Sequence, residues 1–209
     1  MRNILITGAS GGLGAAVVAA FEAAGDRVAG ISHPEYDLTR PEECGRAVAG
    51  IDGPVHALIH LMGGFAGGRP VADTDDGTWR RMMAMNLDAA FYMARAAVPR
   101  LLEQPGGRIV MIGSRNAVRP AANLAAYNAS KAGLVALVET LAKEIGARGA
   151  TANVILPSVI DTPGNRAAMP TADPGTWVPP AAIAELIVWL ASPAAAQING
   201  AVVPIYGQS

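Results

Sequence analysis

Short apolar runs alternate along this chain with longer stretches in which hydrophobic and polar positions recur at helical spacing. The runs are rich in β-branched residues and nearly free of polar ones, which is typical of strands buried on both faces of a parallel sheet. We expect six such strands, over residues 3–7, 27–31, 55–61, 108–112, 151–156 and 201–204. The intervening stretches predict helices over 12–24, 41–50, 78–104, 125–148 and 180–191.

This alternation predicts an α/β fold, a doubly wound parallel β-sheet with helices on both faces, because strand–helix–strand crossovers are right-handed. At 209 residues the chain fits one domain, over 1–209. One long irregular stretch, 158–179, follows a strand end, and we interpret it as a lid.

Composition argues against several classes of function. The 16 basic and 17 acidic residues are spread without blocks, which argues against a nucleic-acid or anionic-membrane partner. The single cysteine, Cys44, allows no internal disulfide, and we interpret it as a small apolar residue on a helix. No apolar run reaches the ~18 residues of a membrane span, and a strand beginning at Asn3 leaves no room for a signal peptide. We therefore expect a soluble, cytoplasmic protein.

A glycine-rich turn, Thr-Gly-Ala-Ser-Gly-Gly-Leu-Gly at residues 7–14, joins the first predicted strand to the first predicted helix. Gly8 allows a tight turn, Gly12 lets a pyrophosphate approach the backbone, and Gly14 lets helix and strand pack closely. The free N–H groups of the helix start then face the phosphates. An ordinary structural turn is the alternative, but the position predicts a dinucleotide site.

Tyr127 and Lys131 lie one helical turn apart on one face, and Ser114 precedes the tyrosine by thirteen residues at a strand end. A phenol with a pKa near 10 is a poor base, and lowering that pKa to roughly 7 requires about 4 kcal/mol. We expect the Lys131 ammonium to supply part of this by favouring the phenolate. Ser114 would hold a substrate oxygen. A surface Tyr–Lys pair and a capping serine are the alternative interpretations.

Together these motifs resemble the short-chain dehydrogenase/reductase family, and the resemblance covers nearly the whole chain. It rests on the Thr-Gly-x-x-x-Gly-x-Gly spacing followed in order by Ser114, Tyr127 and Lys131. It implies a single-domain Rossmann fold and an NAD(P)-dependent oxidoreductase acting on a carbonyl or alcohol, with Tyr127 as general acid and base. It also implies that Lys131 bonds the cofactor ribose and that Asn86 anchors a water that relays protons from Lys131.

The resemblance extends to other cofactor residues. Residues 61–64, Leu-Met-Gly-Gly, stand where the family has Asn-Asn-Ala-Gly, and residues 37–39 resemble its adenine-pocket signature. Ser158 replaces the glycine of the family's Pro-Gly pair. The cofactor-binding residues implied are Gly8, Ser10, Gly11, Gly12, Leu13, Gly14, Ser32, Asp37, Leu38, Gly63, Tyr127, Lys131, Pro157, Ile160 and Thr162.

The end of the second predicted strand bears on the choice between NAD and NADP. An acid there would bind the ribose 2′-hydroxyl of NAD, and an arginine would favour a 2′-phosphate. Ser32 and His33 offer neither. Lacking a repelling carboxylate, the segment slightly favours NADP, with His33 assisting the phosphate. Residues 33–37 are too few for a helix and a strand, so we expect an abbreviated adenine side of the pocket.

The substrate is less defined. The loops at 63–68, 161–170 and 177–179 resemble those of the dihydropteridine reductase branch, so a quinonoid ring is one alternative. The complete Asn86, Ser114, Tyr127 and Lys131 set suits ordinary ketone or 3-oxoacyl reduction at least as well. A catalytically idle redox sensor is an alternative of another class. Candidate substrate or lid residues are Phe65, Arg115, Met169 and Trp177; Arg115 would contact an anionic substrate or be solvated.

Other residues carry weaker signals. His56 and His60, on one strand face, are expected to be packed, and no metal site is expected. Trp79 and Trp189 are expected to pack within helices. The family resemblance and the alanine-rich long helices imply a homo-oligomer, either a dimer or a tetramer.

Overall fold

The protein is built on a six-stranded parallel sheet in the order β2-β1-β3-β4-β5-β6. The computed structural model describes residues 1–208. The strands are β1 (Asn3–Thr7), β2 (Arg27–Ile31), β3 (Ala57–His60), β4 (Arg108–Ile112), β5 (Thr151–Pro157) and β6 (Val202–Ile205). The predicted doubly wound parallel sheet is confirmed, and the main difference in strand bounds is a β3 shorter at both ends.

Seven α-helices flank the sheet within residues 1–208: α1 (Gly12–Ala23), α2 (Pro41–Ala49), α3 (Asp76–Met83), α4 (Ala89–Leu101), α5 (Ala125–Gly146), α6 (Pro163–Ala168) and α7 (Pro180–Leu190). The single helix predicted over 78–104 is wrong in detail. The helical segment begins earlier, at Asp76, because the Asp75 carboxylate accepts the Thr78 N–H at 2.8 Å and caps α3. A π-helical turn, Ala84–Asp88, then separates α3 from α4.

Two hydrophobic cores cover the two faces of the sheet. Leu5 of β1 belongs to the core under α2, α4 and α5, whereas its neighbours Ile4 and Ile6 belong to the core under α1 and α7. The strands are apolar at successive positions because both of their faces are buried. Phe21 of α1 is fully buried, and its truncation to alanine would cost about 3–5 kcal/mol.

The chain passes from β2 to α2 through residues 32–40 without an intervening strand. Strand β2 therefore forms one edge of the sheet, and the expected abbreviation of the adenine side is confirmed.

Residues 158–179 contain more structure than the sequence suggests. Ile160 forms a parallel bridge with Val178, and α6 and a short 3₁₀ turn lie between them. Trp177, within the stretch predicted to be a lid, is only 7% exposed.

The expectation for the other two tryptophans is wrong. Trp79 and Trp189 are 45% and 47% exposed, because they lie toward the outer sides of α3 and α7. Across residues 1–208 no helix combines the length and apolar character needed to cross a membrane.

Candidate active site

The glycine turn after β1 has no room for side chains at two positions. Gly8 has a φ of 71°, in the left-handed region, and a Cβ there would lie 3.1 Å from the Met62 nitrogen. A Cβ on Gly14 would lie 2.5 Å from the Ala9 oxygen and closer still to the Gly8 oxygen. The turn thus brings its backbone against the loop after β3.

A cavity of about 290 Å³ opens beside this turn at the carboxyl ends of the strands. It brings together seven of the residues predicted to hold the cofactor: Gly8, Ser10, Gly11, Ser32, Asp37, Leu38 and Gly63. Tyr36 and Met85 also line it, and no sequence motif marks either of them. Leu13, Pro157 and Ile160 do not line this cavity.

The start of α1 is suited to phosphates. Its N-cap residue, Gly11, provides no side-chain cap, so the first N–H groups of the helix are open to an anion. A Cβ on Gly12 would lie 3.0 Å from the Thr162 methyl, which places Thr162 over the helix start. Ser32 Oγ accepts the Ser10 N–H at 3.0 Å and joins the turn to the end of β2. These features fit a dinucleotide.

Asn86 lies in the π-helical turn and is completely buried. Its Oδ1 accepts the Gly64 N–H at 2.9 Å, and its Nδ2 donates to the Gly64 carbonyl at 3.1 Å and to Ser130 Oγ at 3.2 Å. Single π turns within helices are frequent at functional sites. This one aims Asn86 at the loop after β3 and fixes that loop.

Lys131 is 5% exposed, and its Nζ donates to the Ile112 carbonyl at 2.9 Å. Burial lowers the pKa of Lys131 to about 8. A Cβ on Gly63 would lie 2.8 Å from Asn86 Oδ1 and 3.2 Å from Lys131 Nζ. Asn86 and Lys131 therefore converge on the backbone of Gly63, which also lines the nucleotide cavity.

Tyr127 shares the α5 face of Lys131, but its pKa differs from the expectation. Burial raises the pKa of Tyr127, and a hydrogen bond with Ser114 acts in the opposite direction. The predicted lowering of the Tyr127 pKa is therefore wrong, because desolvation of the buried phenol outweighs the opposing hydrogen bond. Ser114 Oγ also accepts the Asn116 N–H at 3.2 Å.

Phe65 contacts the catalytic candidate directly. Its ring meets the Tyr127 ring edge-on, with centroids 5.0 Å apart and an interplanar angle of 73°. Phe65 is 68% exposed, and the backbone of its loop is held because Gly64 bonds Asn86 and Gly68 N donates to the Asn123 carbonyl at 2.8 Å. Phe65 therefore presents an aromatic surface beside the phenol.

The remaining candidate substrate residues are less closely gathered. The Arg115 guanidinium lies 5.8 Å from the ring centroid of Tyr206, so Arg115 has an aromatic partner and is not a freely solvated side chain. Met169 is half-buried at the end of α6, and Trp177 is buried next to Val178, which forms the bridge with Ile160.

The two histidines near β3 join it to β1. Asn3 N donates to His56 Nδ1 at 3.0 Å at one end, and Thr7 Oγ1 lies 2.9 Å from His60 Nδ1 at the other. His60 is packed as expected, 1% exposed, and burial with the nearby charge of Lys131 lowers the pKa of His60 to about 3. The carboxyl-end position of His60 in β3 is the one sequence signal for its place beside the site.

Comparisons with known proteins show the family to which this chain belongs. A family model described as enoyl-(acyl carrier protein) reductase matches residues 17–207. The chain is 31% identical to the 3-oxoacyl-[acyl-carrier-protein] reductase MabA of Mycobacterium tuberculosis, over 99% of this chain and 92% of that protein. It is 32% identical to a D-threitol dehydrogenase of Mycolicibacterium smegmatis, over 97% of this chain and 90% of that one.

Solved structures show the same fold. A short-chain type dehydrogenase/reductase from Mycobacterium ulcerans superposes with a TM-score of 0.94 at 25% identity, covering 99% of this chain and 89% of that one. An oxidoreductase of the short-chain family from Burkholderia thailandensis gives 0.88 at 30% identity, covering 99% and 91%. With a family model matched over most of its length, this chain belongs to the short-chain dehydrogenase/reductase family of NAD(P)-dependent oxidoreductases.

Proposed function

We propose that this protein transfers a hydride between a nicotinamide cofactor and a carbonyl or alcohol substrate, with Tyr127 as the general acid and base. The observation that carries the proposal is the convergence of Asn86 and Lys131 on Gly63, in the wall of the nucleotide cavity, with Tyr127 one turn from Lys131. The proposed catalytic residues are Asn86, Ser114, Tyr127 and Lys131.

The cofactor supplies the hydride, or accepts it, when it is bound. The open N–H groups at the start of α1 would hold its phosphates, and Lys131, whose Nζ lies near Gly63, would bond its ribose. Cofactor positions assigned to Pro157, Ile160 and Leu13 remain proposals from the family pattern.

Tyr127 enters the reaction in its protonated form at neutral pH, since burial raises the pKa of its phenol. A protonated phenol is the form that donates a proton to a carbonyl oxygen as hydride arrives at the carbon. Ser114 bonds the same phenol and would hold the substrate oxygen beside it.

The proposed cofactor is NADP or NAD, with a slight preference for NADP. Ser32 and His33 line the nucleotide cavity where a carboxylate would exclude a 2′-phosphate, and Ser32 contributes no charge. Asp37 lies further along the same wall, where its carboxylate accepts the Thr39 N–H at 3.1 Å.

Reduction of a quinonoid ring and a redox-sensor role are not favoured. The relatives reported above are named as a 3-oxoacyl reductase and a D-threitol dehydrogenase, which favours carbonyl and alcohol chemistry. Phe65, exposed beside Tyr127, would wall the substrate site, with residues 158–179 as its lid.

The variant Tyr127→Phe tests the proposal, with Tyr92→Phe as its control. General acid–base catalysis contributes about 10²–10⁴-fold, so the first variant should lose turnover by that factor. Its dissociation constant for NADPH should stay within about twofold, because the phenyl ring keeps its packing against Phe65. Tyr92, in α4 and in edge-on contact with Phe91, should tolerate the change. Full turnover by Tyr127→Phe would rule out the proposed chemistry.

We also propose a cytoplasmic homo-oligomer, a dimer or tetramer, formed through α4 and α5. Both helices are rich in alanine, which permits close approach of neighbouring helices. Light scattering at micromolar concentration measures this, and a monomer would contradict it.

A further inference from the structure

A second cavity, of about 190 Å³, lies beside the catalytic helix and has no part in the chemistry proposed above. Its wall includes Ala126, the residue before Tyr127, and Ala66, the residue after Phe65. Consecutive Cα atoms are about 3.8 Å apart, so the cavity adjoins the two backbone segments that carry Tyr127 and Phe65, although neither of these side chains lines it.

Three side chains that line the cavity carry donors that form no ion pair or side-chain hydrogen bond within residues 1–208. Arg69 and Arg81 are exposed along it, and neither forms an ion pair with another residue of the part of the chain that the structure describes. The side-chain amide of Asn123 likewise makes no hydrogen bond to another residue within 1–208. Two guanidinium groups and an amide thus face one small space.

The acid in this wall is already engaged. The Asp75 carboxylate accepts the Thr78 N–H at 2.8 Å and the Thr78 hydroxyl at 2.9 Å as the cap of α3. The hydrogen bonds from Thr78, with a smaller contribution from the charge of Arg69, lower the pKa of the Asp75 carboxyl, so Asp75 is held at the helix start as an anion. Arg69 and Asp75 form no ion pair within residues 1–208, so both arginines can still bond an incoming anion.

The backbone around the cavity is held in an uncommon geometry. Asn123 has a φ of 64°, the one non-glycine residue within 1–208 in the left-handed region. Such conformations cost energy and persist where the surroundings enforce them. Here the Asn123 carbonyl accepts the Gly68 N–H at 2.8 Å, and Leu124 packs against Gly67 where a side chain would stand. The loop that carries Phe65 and the segment that precedes Tyr127 are thereby locked together around the cavity.

We propose that this cavity binds the carboxylate of the carbonyl substrate, with Arg69 and Arg81 as its ligands, so that the enzyme acts on short oxo acids. The inference rests on the proposed hydride-transfer function and names its substrate class. Arginine pairs with carboxylates through parallel hydrogen bonds in a plane. A volume of about 190 Å³ equals that of about six water molecules, enough for a carboxylate and a few carbons.

The test compares oxo acids of four to six carbons with their ethyl esters as substrates, with NADPH. The variants are Arg69→Gln, Arg81→Gln and the pair together. The matched control is Arg80→Gln, since Arg80 is the neighbour of Arg81 in α3 and pairs with Asp76 at 3.0 Å. The wild-type enzyme should prefer the acid to the ester.

Each cavity variant should lower kcat/KM for the acid about 10-fold or more, mainly through KM, with little effect on the ester. Arg80→Gln should behave as wild type toward both. Two results overturn the inference: the wild type uses acid and ester equally well, or Arg80→Gln loses as much activity toward the acid as the cavity variants do. In either case, reduction of the ester would still support the proposed hydride transfer.

A binding measurement tests the site without turnover. Hexanoate, which carries no carbonyl to reduce, should raise the Tm of the wild type and of Arg80→Gln but leave the Tm of the double variant unchanged. No shift in the wild type overturns the carboxylate site whatever the activity assays show. If hexanoate raises the Tm but the protein reduces neither the oxo acid nor its ester, the carboxylate site is supported and the proposed reaction is contradicted.

Discussion

Thr7 Oγ1 and His60 Nδ1 lie 2.9 Å apart at the carboxyl ends of β1 and β3, where both residues are fully or almost fully buried. Thr7 Oγ1 also accepts the Met62 N–H at 3.4 Å, so this pair ties the strand that enters the glycine turn to the loop that contacts Asn86. Because the pKa of His60 is lowered to about 3, the imidazole is neutral at every pH at which the enzyme would work.

Removal of this bond should affect cofactor binding as well as stability. We expect His60→Leu to raise the dissociation constant for NADPH and to lower the free energy of unfolding by about 1–3 kcal/mol, since Thr7 loses a buried partner. His56→Leu removes a similar bond, to Asn3 N, at the far end of the strands. It should lower stability but leave the NADPH dissociation constant unchanged. Fluorescence titration measures the NADPH dissociation constant of each variant. Equal changes in that constant for His60→Leu and His56→Leu would contradict the expectation that only the His60 bond supports cofactor binding.

Lys131 should make stability depend on pH in a defined direction. The folded pKa is about 8 whereas the ordinary value is 10.5, so between these values the unfolded chain binds more protons than the folded one. The free energy of unfolding should therefore increase as pH rises from 8 toward 10.5, by up to ~3 kcal/mol from this group. Below pH 8 the full cost of the buried charge is present.

The variants Lys131→Met and Lys143→Met isolate this contribution. The first should show a smaller increase in stability between pH 8 and about 10 than the wild type, measured by urea unfolding without cofactor. Lys143 is exposed on the same helix, and its replacement should leave the wild-type increase intact. The idea fails if Lys131→Met and the wild type gain stability in parallel over that range.

Gly14→Ala should abolish cofactor binding, because its Cβ would overlap the Gly8 and Ala9 carbonyl oxygens at the centre of the turn. Gly45→Ala is the control. Gly45 lies inside α2, and a Cβ added there would meet no atom within 4 Å, so alanine should stabilise the protein by about 0.5–1 kcal/mol. Thermal unfolding with and without NADPH distinguishes the two, and a cofactor-induced rise in Tm that survives in Gly14→Ala would contradict the proposal.

Ser32→Asp should shift the cofactor preference toward NADH. An aspartate keeps an acceptor for the Ser10 N–H, which Ser32 Oγ now accepts at 3.0 Å, and adds a charge that repels a 2′-phosphate. We expect the ratio of kcat/KM for NADPH to that for NADH to fall about 10-fold or more. Ser10→Ala retains the backbone donor and should leave that ratio unchanged. A wild-type enzyme that already prefers NADH strongly would refute the proposed preference for NADP.

The fold is largely predictable because each strand is apolar at successive positions and each helix is not. The predicted bounds 3–7, 27–31 and 108–112 coincide with those of β1, β2 and β4, and β1 and β4 each contain an unbroken apolar run. The glycine turn is also predictable, because Gly8 and Gly14 occupy positions that exclude a Cβ.

Features that depend on contacts between distant residues are not predictable from the sequence. No pattern in residues 84–88 indicates a π turn, and the bonds of Asn86 within it reach Gly64 and Ser130, which are distant in sequence. The predicted direction of the Tyr127 pKa shift is wrong because spacing gives the distance from Lys131 along the helix but not the burial of the phenol. The predicted packing of Trp79 is wrong because the hydrophobic character of one residue does not show which side of α3 it occupies.

The π turn at Ala84–Asp88 also sets the rotational phase between the two halves of the long helix. Such a turn accommodates one residue more than the α-helix it interrupts, and each residue of an α-helix advances the chain by about 100°. Excision of a single residue there would let the segment wind as one uninterrupted spiral, and the amide of Asn86 would swing away from Gly64. The extra residue of the π turn thus allows one face of this helical segment to pack on the sheet while another faces the nucleotide cavity.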